Sequence, residues 1–198
     1  MDTEEDSTPT PRPEEVAAAY EQGLAALRQT ERSFALIGGV ALDGYGEPRA
    51  TKDVDFLVFG PASRWTGLRR RLEALGLKLD DRWHRTHPAA DRLLYRFKQG
   101  PVRIDILRPA DRHESGLRRR TIPSRVLGRP CPLLEPEDYI LLKAKAERPQ
   151  DFADAIAVAR VYLDKLDYAY LRRWSIKVGR FEEIQYIVVQ AERGDFAR

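Results

Sequence analysis

The stretch IGGVALDGYGEPRATKDVDFLV, residues 37–58, decides how this chain is read. It leaves one apolar run, SFALI, through Gly38-Gly39 and enters a second, DVDFLVFG, through Asp53-Val54-Asp55. Side chains alternate across a strand, so Asp53 and Asp55 share a face. Two parallel carboxylates this close repel, and a hard divalent cation with oxygen ligands offsets that well. Two aspartates can also sit on an exposed strand with no ligand. The residues that follow, Phe56 to Phe59, argue against this, because so apolar a run suits a strand covered on both faces. Glycine lets backbone approach a ligand closely, and a short helix read over VALDGYG would present free N–H groups to an anion. A tight strand-to-helix turn with no ligand is the plainer account of Gly38-Gly39.

A second piece lies in VRIDIL, residues 102–107, where Asp105 stands between Ile104 and Ile106. Arg103 points to the same side as Asp105 by the two-residue period, so a simple Arg–Asp pairing at a sheet surface is one reading. An unpaired acid in so apolar a strand is costly, however, and invites a partner. If the strand of Asp105 lies beside that of Asp55, three carboxylates converge, enough to carry two Mg²⁺ ions.

Outward from these pieces, Val16, Tyr20, Leu24 and Leu27 recur at helical spacing from Glu14 onward. SFALIGG reads as a buried strand, VALDGYG as a short helix closed by Gly44 or Gly46, and DVDFLVFG as a strand ended by Gly60-Pro61. Residues 62–75 form an amphipathic helix with Trp65, Leu68, Leu72 and Leu75 on one stripe. LKLDDRWH reads as a weak strand, with His84 and His87 in a loop. RLLYRFKQGPVRIDILRP reads as a hairpin turning at Gln99-Gly100-Pro101. A hairpin is antiparallel, so the expected sheet is mixed. The prolines of SRVLGRPCPLL confine it to an edge strand. From Glu135 the chain reads as helical, with Pro136 and Pro149 at helix starts. His113 has no evident partner, and Trp174 with Leu171 and Val178 belongs to a helical core. The expected class is α/β (α+β): a mixed sheet flanked by helices, followed by a C-terminal helical region. The expected divisions are a disordered tail at 1–13, a core at 14–130 and a helical region at 131–198.

The chain has 198 residues and a formal net charge of +3, but the charge is unevenly spread. Residues 1–59 hold 5 basic and 12 acidic side chains, 60–130 hold 18 and 7, and 131–198 hold 11 and 12. The middle segment, with Arg69-Arg70-Arg71 and Arg118-Arg119-Arg120, therefore favours a polyanionic partner such as RNA, DNA or a triphosphate. A solvated Arg-rich helix face gives the same count. One cysteine, Cys131, excludes an internal disulfide and a multi-cysteine zinc site. No stretch reaches the roughly 20 apolar residues of a membrane span, and the acidic, proline-rich start is no secretory signal. The expected compartment is the cytoplasm.

Together these pieces resemble the polymerase-beta-like nucleotidyltransferases, whose pattern is Gly-Gly or Gly-Ser after a strand, then Asp-x-Asp, then a third acid on a later strand. Gly38, Gly39, Asp53, Asp55 and Asp105 fill it here. The resemblance spans roughly residues 30–165 and is closest to small bacterial members related to abortive-infection (AbiEii-type) toxins. That group carries a Thr shortly before the Asp-x-Asp, matched by Thr51. It also carries a downstream Lys, Arg and Asp-x-x-Asp, matched by Lys143, Arg148, Asp151 and Asp154. Gly39 departs from the pattern, standing where many members have Ser.

The resemblance implies transfer of a nucleoside monophosphate from an NTP, ATP among them, to an acceptor hydroxyl. Asp53 and Asp55 would bind both of two Mg²⁺ (or Mn²⁺) ions. Asp105 would bind the ion near the attacking hydroxyl and share in its deprotonation. Gly38, Gly39 and the next helix would cradle phosphate. Lys143, with Arg49 behind it, would neutralise triphosphate charge, and Asp151 and Asp154 would orient Lys143. Lys143 could equally be a surface lysine and Asp151 a helix-start acid. RNA, particularly a tRNA end, leads as acceptor, followed by a protein hydroxyl and a small molecule such as an aminoglycoside. A cognate antitoxin is the implied partner, and no membrane is. The competing class is an inactive nucleotide-binding regulator of the same fold.

Overall fold

The computed structural model describes residues 10–194. The tail expected at 1–13 lies mostly outside them. The described residues form two compact units, one of residues 10–40 with 50–110 and one of residues 41–49 with 111–194.

The first unit opens with α1 (Pro13–Arg28). Proline at its start has no N–H to leave unsatisfied, and the Glu15 carboxylate accepts the Arg12 N–H at 2.7 Å. β1 (Phe34–Ile37) and β2 (Asp53–Val58) follow, then α3 (Trp65–Ala74), β3 (Lys78–Leu79), α4 (Asp81–Thr86), β4 (Leu94–Gln99) and β5 (Val102–Leu107). α2 (Leu42–Tyr45) belongs to the second unit. The five strands run in the order β1-β2-β5-β4-β3. β2 and β5 are parallel and every other neighbour is antiparallel, so the sheet is mixed as expected.

One face of this sheet is apolar. Phe56 and Ile104 pack so tightly on α1 that a Cβ on Gly23 would stand 2.8 Å from the Phe56 ring. Tyr20 stacks on Phe56, and Trp65 of α3 stacks on Tyr95. Leu57 and Phe59, on the opposite side of β2, are also buried, so the end of that strand is covered on both faces.

The weak strand read over LKLDDRWH shrinks to the two residues of β3, and the rest is α4. The Asp80 side chain accepts the Trp83 N–H at 3.2 Å, and that cap starts a helix where a strand was expected. His84 therefore sits on a helix, with His87 at its end, rather than in a loop.

In the second unit, SRVLGRPCPLL forms a hairpin of its own, β6 (Thr121–Val126) with β7 (Arg129–Leu134), not an edge of the main sheet. A boundary after residue 130 would cut through β7; the packing divides the chain at 110 instead and assigns the 41–49 loop to the second unit. That loop docks on the hairpin. The Tyr45 hydroxyl donates to the Leu134 carbonyl at 2.9 Å, and the Leu127 N–H donates to Asp43 at 2.6 Å. α5 (Arg112–Gly116) precedes the hairpin; α6 (Pro136–Ala146), α7 (Pro149–Val161), α8 (Tyr168–Val178) and α9 (Phe181–Arg193) follow it. His113 and Asp138 are buried, Trp174 half-buried against the His113 ring, and Arg120 and Tyr170 both bond Asp138. Among the described residues, no helix is long and apolar enough to cross a membrane.

Candidate active site

β2 and β5 bring the predicted carboxylates together. Asp55 and Asp105 are direct partners across the parallel pair, and Asp53 is partner to Arg103. On the next strand, Arg96 stands opposite Asp105 and Lys98 opposite Arg103. The polar face of the sheet thus carries two rows of charge, Asp53-Arg103-Lys98 and Asp55-Asp105-Arg96. Adjacent strands lie about 4.8 Å apart, so Asp55 and Asp105 face each other at close range.

Gly38 closes one end of the second row. Its φ of +69° is a region L side chains rarely adopt, and a Cβ there would stand 2.0 Å from Oδ2 of Asp55. Gly38 is required because backbone and carboxylate share that space. Gly39 follows in the same turn and is buried. The helix expected to offer N–H groups to phosphate is α2, a single turn of four residues, too short for a helix dipole of consequence. Thr51 lies just before β2, its hydroxyl 3.5 Å from the Asp53 backbone nitrogen.

The carboxylates are matched by guanidinium groups. Arg103 donates to both oxygens of Asp53 at 2.5 and 2.9 Å, and Arg96 to both of Asp105 at 2.9 and 2.8 Å. Such forks fit a carboxylate in both geometry and charge. The pairing anticipated for Arg103 exists, but its partner is Asp53 rather than Asp105. Arg96 was missed, although counting outward from the Gly100-Pro101 turn places it opposite Asp105. Among the described residues, no group of three or more His, Cys, Asp or Glu side chains is drawn together as a metal cage.

In the second unit, Lys143 is buried on α6 and donates to Asp151 at 2.8 Å and Asp154 at 2.6 Å. Arg148 binds Asp151 at 2.6 Å, and Arg49 binds both oxygens of Asp154 at 2.6 and 2.8 Å. Burial pushes both carboxyls up, but their hydrogen bonds to these cations outweigh it and hold both below the usual carboxylate range. Arg49 is raised in turn, chiefly by its bond to Asp154.

A mixed five-stranded sheet with three carboxylates on β2 and β5 beside a glycine turn is the core of a polymerase-beta-like nucleotidyltransferase, an enzyme that transfers a nucleoside monophosphate from an NTP. The chain belongs to the family described as "Nucleotidyl transferase AbiEii toxin, Type IV TA system", which matches residues 22–188. No curated protein matches it in sequence. Among solved structures it is similar to the antibiotic-resistance factor ANT(2'')-Ia in solution, at 17% identity and TM-score 0.51, covering 92% of this chain and 93% of that one. It is also similar to an antigenic nucleotidyltransferase-like protein from Paracoccidioides brasiliensis, at 13% identity and TM-score 0.52, covering 90% and 94%. ANT(2'')-Ia in complex with adenylyl-2''-tobramycin gives 16% identity and TM-score 0.51, covering 86% and 98%.

Proposed function

We propose that the chain transfers a nucleoside monophosphate from an NTP such as ATP to RNA, a tRNA end first, at the Asp53, Asp55 and Asp105 face. It would act in the cytoplasm as the toxin of a pair with a cognate antitoxin. The observation that carries the site is the register of β2 and β5, which makes Asp55 and Asp105 direct partners with Asp53 on the same face.

The donor set fits Mg²⁺ or Mn²⁺: all three side chains offer hard oxygens, and Gly38 leaves no room for a competing side chain beside Asp55. Asp53 and Asp55 would hold the ion, with Asp105 facing them across the strand pair. A bound ion of this kind acidifies the attacking hydroxyl and steadies the leaving pyrophosphate. Gly38-Gly39 brings backbone to the same place, and we assign that turn to the phosphate chain, with Thr51 supporting the entry to β2. In the second unit, Asp151 and Asp154 orient the Lys143 ammonium and Asp154 holds the Arg49 guanidinium.

The acceptor rests on the basic surplus. Arg70 and Arg71 of α3, and Arg118 and Arg119 after α5, are exposed and carry no ion pair among the described residues. Exposed, unpaired guanidiniums suit a phosphate backbone. Family membership supports the toxin and antitoxin part of the reading. The test is incubation with each α-labelled NTP, Mg²⁺ or Mn²⁺, total RNA and lysate. Label is expected on small RNA and absent with Asp55→Asn. Label on a protein or on an added aminoglycoside, with none on RNA, overturns the acceptor; label that survives Asp55→Asn overturns the site.

A further inference from the structure

The row Asp55-Asp105-Arg96 on the polar face of the sheet has two ends. At one, Gly38 brings backbone against Asp55. At the other, the Arg96 guanidinium, forked on Asp105, lies 4.4 Å from the centre of the Trp83 ring. Trp83 belongs to α4 and so stands one side chain away from the carboxylates. His87, four residues on at the end of the same helix, is stacked on Trp83, with ring centres 4.6 Å apart and planes 12° from parallel. Trp83 is half-buried and His87 is exposed, so the pair ends in an open ring.

The pair is held in place. His84, between the two rings in sequence, is buried. Its Nε2 accepts the Arg96 backbone N–H at 3.0 Å, and its Nδ1 faces Asp91 at 2.5 Å. The Asp80 side chain caps α4, and the Asp80 N–H donates to the Arg96 carbonyl at 2.9 Å. Both backbone groups of Arg96 thus tie α4 to β4. An aromatic ring that is rigid and open presents a flat surface at low entropic cost. Its surroundings are basic. Arg85 on α4 and Arg92 in the short turn after it are exposed, and neither has an ion pair among the described residues. Rings interleaved with exposed guanidiniums match single-stranded nucleic acid, whose bases stack while its phosphates meet charge. A duplex hides its base faces, and an aminoglycoside has no aromatic ring to stack.

Resting on the reading of RNA as the acceptor, the geometry points to the Trp83 and His87 rings as the acceptor subsite, taking the unpaired terminal base of single-stranded RNA. The ribose hydroxyl of a terminal nucleotide lies next to its base, so a base on this stack sets its hydroxyl toward Asp105. With the phosphate chain of the NTP assigned to the Gly38 end, the acceptor comes in from the α4 end and the carboxylates lie between the two. Arg85 and Arg92 meet phosphates upstream of the stacked base.

The experiment is binding of a short single-stranded RNA, labelled at its 5′ end, to the full chain, read by fluorescence anisotropy beside the same RNA with an abasic 3′-terminal nucleotide. Wild type is expected to bind the intact RNA about five- to a hundredfold more tightly than the abasic one, the worth of one stacked base. His87→Ala should lose most of that preference and bind the abasic RNA as wild type does. His87→Phe should keep it, because a ring remains while the hydrogen bonds of the imidazole to Thr86 and the Trp83 carbonyl are gone. Arg85→Gln should weaken both RNAs alike and lower the salt slope by about one. Equal affinity of wild type for the two RNAs, or a preference unchanged in His87→Ala, overturns the subsite while leaving RNA as the acceptor. A loss in His87→Ala that is the same for both RNAs does so too, since it marks a merely structural role. No binding of either RNA, with label from NTP appearing on a protein or an aminoglycoside instead, overturns the acceptor and the subsite with it.

Discussion

The carboxylates of the first unit and those of the second meet cations in opposite ways. On the sheet face, Asp53 and Asp105 each face one guanidinium, and the Asp53 pair is open to water. Between α6 and α7, Asp151 and Asp154 are 2% and 1% exposed, and their four oxygens receive Lys143, Arg148, Arg49 and Gln150. A buried carboxylate is tolerable only when its lone pairs are satisfied. The second network meets that condition as a brace, each acid holding at least two donors. The first meets it sparingly, and its Asp53 pair is left open to water.

The contrast is broken most sharply on its reactive side. Asp55→Ala should cut nucleotide transfer by about a thousandfold or more, the scale of losing a central catalytic group. Its thermal midpoint should stay near that of the parent, since Asp55 lies at the start of β2 and the apolar face is untouched. Pyrophosphate release at a tenth of the parental rate would refute the role given to Asp55. On the braced side, Lys143→Met leaves two buried carboxylates short of a donor and should cost about 3–5 kcal/mol. Hydrogen exchange of the α6 and α7 amides should speed up accordingly, with the β2 and β5 amides unchanged. If α6 and α7 keep their protection, the network is not the brace described.

Much of this contrast was legible in the chain. Strand alternation alone puts Asp53 and Asp55 on one face, and the hairpin reading of 92–109 places Asp105 on a strand. What alternation cannot supply is register between strands far apart in sequence. Whether Arg103 meets Asp53 or Asp105 depends on the parallel offset of β2 and β5, which no local pattern encodes. Arg96 is a different failure. A two-residue turn sets hairpin register, so its position opposite Asp105 was present in the sequence and went unread. The α4 helix was hidden for another reason: six residues show too little periodicity, and the aspartate cap at Asp80 was the one local signal. His113 was unreadable, since its partners Asp138 and Trp174 come from α6 and α8.

Gly38→Ala probes the reactive side more gently. The new Cβ cannot share space with Asp55 Oδ2, so turn or carboxylate must shift by an ångström or more. A misplacement of that size costs about a hundredfold in rate, and transfer should fall by about that much. The Mn²⁺ affinity should weaken alongside. Full activity in Gly38→Ala would show that the Asp55 position has slack, against the close packing of the glycine turn.

The smallest expected effect concerns acid stability of the brace. Asp151 and Asp154 are held below the usual carboxylate range in the folded protein. A depressed carboxyl contributes stability that is fully present above its unfolded value, about 3.9, and is lost as pH falls through the lower folded value. Above that range these two acids should leave the urea midpoint flat; below it the midpoint should drop. Trp174 reports the second unit once Trp65 and Trp83 are changed to Phe. In that background, Asp154→Asn should reduce the acid-side slope without removing it, because Asp151 and Asp111 are depressed too, Asp111 through Lys145 and the Glu114 N–H against the effect of burial. An identical slope in Asp154→Asn would mean that its bonds to Arg49 and Lys143 add nothing beyond what the unfolded chain already has. The braced network would then be as dispensable as the open pair between Asp53 and Arg103, and the contrast between the two would fail.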